Sequence, residues 1–565
     1  MSTNLLQKLV SIQNEFGGIE PSVIVSIANE YSVPVSEVRA IIDFYHFLSD
    51  KKNADYHFYF SNNIIDKMAH SDLLVLQLGE RLNSIIQQDP SRVCLDETSC
   101  IGLADHAPAA LVNGRPLPAL NPQSIEEVAE LVALGRPLDH WPAHLFQVRT
   151  RICRRSWLLN MSLPPGESLL SWQTKGSATI LQELQASQLR GRGGAGFATA
   201  LKWRSCEEQH SGEKYVICNA DEGEPGTFKD RVMLSEHSDW LWEGMTLCAA
   251  TVGASKGFLY LRAEYAYLLP QLETSLQVRR DTGWLGAALK ERLGFEFDIQ
   301  IVLGAGAYIC GEESALLESL EGKRGIPRIR PPFPTISGYL RQPTVVNNVE
   351  TFIHAAAIIS KGSDSFLQLG TTQSKGTQLL SISGDCQRPG VYEYAFGETV
   401  EQILSDCGAD EVQAVQIGGP SGRLLGPQSF HLTLGYEALG GSGSLMIFNH
   451  RRSLIEVVNN FTNFFAFESC GFCTPCRVGT ALNQRMLTRL HLKQLRQHEI
   501  QLLEESVRLM QNSSHCGLGQ SAGNSILNLL HDFPETVEQL LNTIGDDNEA
   551  RLVQALQPAV QLRKS

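Results

Sequence analysis

Four glycines fall within six positions, at Gly191, Gly193, Gly194 and Gly196, inside the run Leu189–Trp203. Glycine lets a backbone take positive φ and come close to a ligand. The residues that follow, Phe197–Trp203, form an apolar, helix-compatible run with one lysine, Lys202. Free N–H groups leading into a helix N-terminus hold an anion, and Arg190, Arg192 and Lys202 add full positive charges. A phosphate suits such a loop; a purely structural glycine turn is the alternative. Gly191, Gly193 and Gly196 match the spacing of the dinucleotide fingerprint, but that fingerprint needs a strand before it. Here Ile180, Leu181, Leu184 and Leu189 precede it at helical spacing. The pattern therefore excludes a standard Rossmann unit.

A chain of 565 residues outgrows one core, so about three to five domains are expected. Hydrophobic residues make up 43% and charged residues 19%, and the net charge is −14. This balance fits a soluble globular chain and argues against nucleic acid as the main partner. No apolar run reaches the length of a membrane span, and the N-terminus lacks a secretory apolar segment. A cytoplasmic location with no membrane contact is the expectation. The 13 cysteines then point to metal ligands or buried thiols rather than disulfides.

Read in order, the chain divides into five stretches. Residues 1–135 form a small α/β domain. Leu5, Leu6, Leu9, Val10 and Ile12 share a helical face, and Val35 opens a further helix. Strands are expected at Tyr56–Phe60 and near Ser91–Cys94, a hairpin at Asn113 and Gly114, and a capping box over Ser124–Glu127. Residues 136–178 are proline-rich and read as a linker containing a helix. The arginines there, Arg149, Arg151, Arg154 and Arg155, read as a solvated face or a partner contact. Residues 179–358 carry the glycine loop. A buried strand, Glu213–Cys218, runs into Asn219, Asp221, Glu222 and Glu224. Open α/β sheets bind ligands at such strand ends. Helices at 233–253 and 262–279 flank a strand at Gly257–Leu261, and a further strand spans Phe297–Leu303. A second glycine turn follows, with Tyr308, Gly311, Glu312 and Glu313. The helix dipole alone explains two carboxylates there; hydrogen bonding to sugar hydroxyls or a flavin edge is the functional alternative. The stiff segment Arg328–Pro334 contains Arg330 and Phe333, and Asn347, Asn348 and Thr351 close the domain. Residues 359–437 read as a small insert, and nothing in its Gly418–Gly422 loop argues for catalysis. Residues 438–565 hold Cys470, Cys473 and Cys476 at two-residue gaps, with Cys516 following. Three such cysteines and a distant fourth suit a [4Fe–4S] cubane; zinc, with His515 beside Cys516, is the alternative. Helices are expected over 452–466, 480–511 and 525–562, as a bundle.

These segments resemble the FMN- and NADH-binding flavoprotein subunits of bacterial respiratory complex I and their relatives. Thr98–Gly114, with Cys100, resembles the thioredoxin-like [2Fe–2S] subunit of the same enzymes. The resemblance implies an α/β multidomain fold: N-terminal helices with a thioredoxin-like domain, a Rossmann-like FMN/NADH domain, a β-grasp insert, and a C-terminal helical bundle with an iron–sulfur cluster. It implies that the loop with Arg192, Gly194 and Gly196 wraps the FMN phosphate. Gly191, Gly193, Lys202, Asn219, Asp221, Glu222, Gly311, Glu312, Asn347, Asn348 and Thr351 would bind FMN. Phe197, Glu224, Tyr308, Glu313, Arg330 and Phe333 would hold NADH. Cys470, Cys473, Cys476 and Cys516 would hold the [4Fe–4S] cluster. Ala198 stands where proline is usual and Arg330 where lysine is frequent. Ala104 replaces the last cysteine of the thioredoxin-like cluster motif, and no cysteine precedes Cys94, so the N-terminal fold is expected without its cluster.

The implied chemistry needs no protein acid, base or nucleophile. Glu224 and Glu313 would favour NADH over NADPH, since a carboxylate accepts ribose hydroxyls and repels a 2′-phosphate. Fusion of the thioredoxin-like and flavin parts, with Thr98–Gly102 and Pro137–Pro142, is similar to the diaphorase flavoproteins of cytoplasmic NAD-reducing [NiFe] hydrogenases. The partners so implied are an iron–sulfur electron-transfer subunit and a [NiFe] hydrogenase module. The flavin component of a formate dehydrogenase, or complex I itself, is the alternative, and a non-catalytic scaffold would lack glycines or cysteines that are present.

Overall fold

The computed structural model describes residues 4–541, which divide into two compact units, up to His450 and from Arg451. In the first unit, helices Leu5–Phe16, Pro21–Glu30 and Val35–Ile42 precede a four-stranded sheet. Its strands are β1 (Tyr56–Ser61), β2 (Val93–Thr98), β3 (Ala110–Val112) and β4 (Arg115–Leu117), in the order β2-β1-β3-β4. β1 pairs parallel with β2 and antiparallel with β3, and Asn113 and Gly114 turn the β3–β4 hairpin. Alternation along β1 sends Tyr56, Phe58 and Phe60 into a core with Leu74, Leu78, Val128 and Val132. Helix Pro122–Ala133 starts one turn before the expected box. Its cap is Asn121, whose side chain accepts from Gln123 N and Ser124 N while Ser124 Oγ accepts from Asn121 N. Pro122 explains the shift, because its fixed φ suits the first helical position.

The stretch expected as a linker contributes β5 (Ile152–Arg154), the edge strand of a six-stranded sheet. The insert supplies β10 (Thr377–Gly384), β11 (Gly390–Ala395), β12 (Val412–Ile417) and β13 (Arg423–Leu425), and β14 (Ser444–Asn449) joins them from beyond its expected end at 437, in the order β13-β12-β14-β10-β11-β5. Arg154 pairs with Asp406 at 3.0 Å and lies over the Tyr394 ring, and Arg151 donates to Asp105 O. Arg149, Arg154 and Arg155 are nevertheless exposed, as a solvated face requires, and these two contacts tie part of that face back to the chain. The buried Glu393 carboxylate accepts Ser156 N, Leu158 N and Leu159 N and so pins the same stretch.

The third sheet is parallel: β6 (Tyr215–Ala220), β7 (Lys256–Leu261), β8 (Asp298–Leu303) and β9 (Thr344–Asn348), in the order β8-β7-β6-β9. Tyr215, Val216, Ile217 and Cys218 are buried, as in a sheet covered on both faces. Helix Ser177–Ala186 precedes the glycine loop, which bears out the rejection of a standard Rossmann unit. The long helix Lys229–Val252 breaks at His237 and packs against Val349–Lys361, whose Phe352, Ile353 and Ala356 are buried. A buried ion pair, Arg231 with Asp105 at 2.8 Å, joins this layer to the N-terminal domain.

The second unit is helical in its described part: Leu454–Glu468, Thr474–His491, Gln497–Ser513, Gly517–Ser521, Asn524–Asp532 and Pro534–Glu538. The expected helix over 480–511 is two helices, interrupted where Lys493 takes φ of 56°. The expected helix beyond residue 541 lies outside the described residues.

Candidate functional site

The parallel sheet dictates where a ligand can sit. The chain steps from β6 to β7 to β8 on one side, then returns to place β9 on the other side of β6. The β6–β9 boundary is thus the switch point, and a crevice opens there beyond the carboxyl ends of the strands. Asn219 and Ala220 end β6 with Asp221 and Glu222 following, and Asn347 and Asn348 end β9. A Cβ at Gly193 would lie 3.1 Å from Asn348 Cβ, so the glycine loop approaches this same boundary.

Local bonds set the loop's shape. Gly191 N donates to Phe197 O at 2.8 Å and Thr199 N to Leu189 O at 3.0 Å, while Arg192 N donates to Thr351 Oγ1 at 2.9 Å. Gly194 and Gly196 have φ of 124° and 63°, which disfavour any side chain. A Cβ at Gly194 would meet nothing within 4 Å, so this side of the loop is open. Helix Thr199–Glu207 follows with no side-chain cap, and its first N–H groups are those a phosphate takes. The loop fits an anionic cofactor by these features.

The charges fall differently from the sequence expectation. Arg192 is fully buried; its guanidinium donates to Thr377 O, Arg190 O, Lys375 O and Tyr436 Oη. Arg190 donates to Gly196 O at 2.6 Å and stacks on Tyr436. Both arginine side chains brace the loop against the insert instead of facing an anion. Of the three expected cations only Lys202 lies at the crevice, donating to Glu313 at 2.8 Å and to Val346 O at 3.0 Å. Glu312 caps helix Glu313–Leu320, accepting Ser314 N and Ala315 N, so the helix-dipole explanation covers it. Arg330 pairs with Glu312 and Glu313 at 3.3 and 3.4 Å.

The remaining predicted residues gather around the strand ends. Asn219 donates to Gly311 O at 2.7 Å, Asn347 accepts from Trp203 Nε1, and Asn348 donates to Asp230. Glu222 accepts Asp230 N, Arg231 N and the Tyr265 hydroxyl. Burial, and then the neighbouring Asp230, push its carboxyl up to about 7. Glu224 accepts the Tyr308 hydroxyl at 2.5 Å and both Ser421 N and Ser421 Oγ, and burial raises its pKa. Phe197 and Phe333 are 56% and 51% exposed, large apolar surfaces that a planar ligand would cover.

In the second unit, Cys470 follows helix Leu454–Glu468, Cys473 precedes the first turn of Thr474–His491, Cys476 lies in it, and Cys516 precedes Gly517–Ser521. Ser469 Oγ lies 3.3 Å from Cys476 Sγ, and His515 N donates to Cys473 Sγ at 3.5 Å. Burial, with Cys473, Cys516 and Cys470 adding, pushes the Cys476 thiol up to about 12. The four thiols thus gather, yet no three of them lie within 4.8 Å of one another. Tetrahedral zinc with bonds of about 2.3 Å would hold sulfurs about 3.8 Å apart. Four thiols brought together are the donor set of a cubane.

Residues 184–357 match the Nuo51 FMN-binding domain, 456–540 the NADH-ubiquinone oxidoreductase-F iron–sulfur binding region, and 1–133 the thioredoxin-like [2Fe–2S] ferredoxin. The chain is 39% identical to the NAD-reducing hydrogenase HoxS subunit alpha of Cupriavidus necator, covering 95% of this chain and 92% of that one. The chain belongs to the family of NAD-reducing hydrogenase alpha subunits. Solved NAD⁺-reducing [NiFe]-hydrogenases superpose with TM-scores of 0.88 (air-oxidized, 39% identical, 96% of this chain and 94% of that chain) and 0.89 (H2-reduced, 38%, 99% and 97%). The HndC protein of the NADP-reducing hydrogenase of Solidesulfovibrio fructosivorans is 37% identical, but over only 66% of this chain and 78% of that one. FMN and a [4Fe–4S] cluster are the cofactors of this alpha subunit.

Sequence reasoning missed two residues of the alpha subunit's site, Ser421 and Tyr436. Ser421 supplies two of the bonds that hold Glu224, and Tyr436 donates to Gly191 O at 2.6 Å. A signal existed for the first: Gly418 and Gly419 are consecutive, both take positive φ, and a Cβ at Gly419 would lie 2.4 Å from Glu224 Cγ. No local signal marked Tyr436. In the thioredoxin-like domain, Cys100 accepts from Asn63 Nδ2 and Gly102 N, and Ala104 is buried in the following turn.

Proposed function

We propose that this chain is the diaphorase subunit of a cytoplasmic NAD-reducing [NiFe] hydrogenase, interconverting NADH and NAD⁺ and exchanging single electrons with an iron–sulfur partner subunit. Bound FMN supplies the link between a nicotinamide's two-electron transfer and the one-electron steps of a [4Fe–4S] cluster. The observation that carries the reading is the glycine loop laid over the β6–β9 switch point, beside Asn219, Asn347 and Asn348.

Each part of the site has a task in this reading. The N–H groups of Gly193–Gly196 and the Lys202 ammonium hold the FMN phosphate, while Gly191, Asn219, Asp221, Glu222, Gly311, Glu312, Asn347, Asn348 and Thr351 line its pocket. Phe197 and Phe333 flank the nicotinamide dinucleotide. Tyr308 and Ser421 fix Glu224, and Arg330 and Lys202 fix Glu313, so that both carboxylates are positioned for ribose hydroxyls. Cys470, Cys473, Cys476 and Cys516 ligate the cluster. The match over 95% of the chain to a hydrogenase alpha subunit favours a hydrogenase partner over complex I.

The test is an anaerobic NADH titration of the isolated chain, with FMN and iron assayed on the same sample. The expected result is about one FMN and four irons per chain, with flavin absorbance bleached by NADH. Bound zinc without flavin would overturn the reading, and about six irons would mean that the N-terminal domain carries a cluster of its own.

A further inference from the structure

The outer face of the N-terminal sheet carries side chains that the flavin chemistry leaves unused. β1 and β2 run parallel in register, with His57 beside Cys94 and Tyr59 beside Asp96. Tyr56, Phe58, Phe60 and Val93 point into the core, so alternation brings His57, Tyr59, Cys94 and Asp96 onto the opposite face. His57 Nε2 lies 2.7 Å from Asp96 Oδ2, and Cys94 Sγ lies 3.3 Å from the same oxygen. The three donor atoms are all within 4.8 Å of one another, the only such group of His, Cys, Asp and Glu among the described residues.

We infer that His57, Cys94 and Asp96 form a binding site for a divalent transition-metal ion of the zinc class, with solvent as the fourth ligand. One nitrogen, one sulfur and one oxygen suit a borderline ion, whereas magnesium and calcium take oxygen alone. The paired strands fix the spacing before any ion arrives. His57 is the buried anchor, its side chain 10% exposed, while Asp96 at 51% keeps the site open to solvent. Tyr59 stacks on the imidazole at 4.1 Å and sets its plane. His57 Nδ1 makes no hydrogen bond, and His57 lines a cavity of about 340 Å³ with Tyr59 and Asn113. An Asp–His surface pair would explain two of these residues but has no use for a thiol directed at the same oxygen. The site is separate from Cys100, which follows the far end of β2 and is held by Asn63. Binding releases the Cys94 thiol proton to solvent as the sulfur becomes a ligand.

The experiment uses the complete flavin- and iron-loaded protein, washed with a mild chelator and titrated with Co²⁺. The expected result is one tight equivalent per chain with a near-ultraviolet thiolate-to-cobalt band, displaced by Zn²⁺. Cys94→Ser should abolish the band, and Asp96→Asn, at an exposed position that tolerates substitution, should weaken Co²⁺ binding by at least about tenfold. Flavin and iron contents should not change. Absence of the band, or Co²⁺ binding unaltered in Asp96→Asn or Cys94→Ser, would overturn the assignment.

Discussion

Substituting Gly196 by alanine separates the shape of the glycine loop from its charge. Gly196 has φ of 63°, and a methyl group there would lie 2.3 Å from Tyr436 Cε1. That ring is held on several sides. Its hydroxyl donates to Gly191 O at 2.6 Å and accepts from Arg192 at 3.2 Å, and the Arg190 guanidinium stacks on it at 4.1 Å. Left-handed backbone costs a residue with a Cβ about 1–2 kcal/mol, and overpacking costs about 1–3 kcal/mol. The sum is about 2–5 kcal/mol. Apparent affinity falls with the fraction of chains whose loop keeps the binding shape, and about 1.4 kcal/mol is tenfold. FMN binding to Gly196→Ala, followed by flavin fluorescence on the apoprotein, should therefore weaken at least about tenfold. Tyr436→Ala relieves only the steric part. In a double-mutant cycle, the two changes together should cost less than the sum of the single effects by about 1–3 kcal/mol. Wild-type FMN affinity in Gly196→Ala, or a strictly additive cycle, would refute the reasoning.

Glu313→Gln should lower the NADH preference, read as the ratio of kcat/KM for NADH and NADPH, by about tenfold, the size of a lost hydrogen bond to a charged group; an unchanged ratio would remove Glu313 from cofactor selection. Cys516→Ala should take iron from about four atoms per chain to near zero while NADH still bleaches the flavin, as checked by iron assay and absorbance. Asp66 is buried, accepting from Ser61 Oγ and Ala109 N, and burial raises its carboxyl from 3.8 to about 7. Across that window the folded chain keeps a proton that the unfolded chain gives up, so Asp66 makes stability fall as pH rises toward 7 and leaves no slope above it. Asp66→Asn should remove this slope, and its Tm relative to wild type should be higher at pH 8 than at pH 4.

Much of this protein was legible wherever the chemistry is local. The alternation of Tyr56, Phe58 and Phe60, the Asn113–Gly114 turn and the apolar run into Asn219 each declare their structure within a few residues. The strand within the linker and the role of Arg192 were not legible, because their meaning lies elsewhere in the chain. Ile152–Arg154 is a strand only because β11 is there to pair with it, and Arg192 is structural only because Tyr436 lies 244 residues on. By itself the sequence determined the glycine loop's capacity for an anion and the four cysteines suited to a cubane, since glycine's missing Cβ and the thiol's affinity for iron belong to the residues themselves. Only the tertiary structure decided that Lys202 rather than Arg190 or Arg192 lies at the crevice, that Glu312 caps a helix, and that Ser421 and Tyr308 hold Glu224. A buried charge takes whichever partner folding brings within hydrogen-bonding distance, and no periodicity in the chain records that distance.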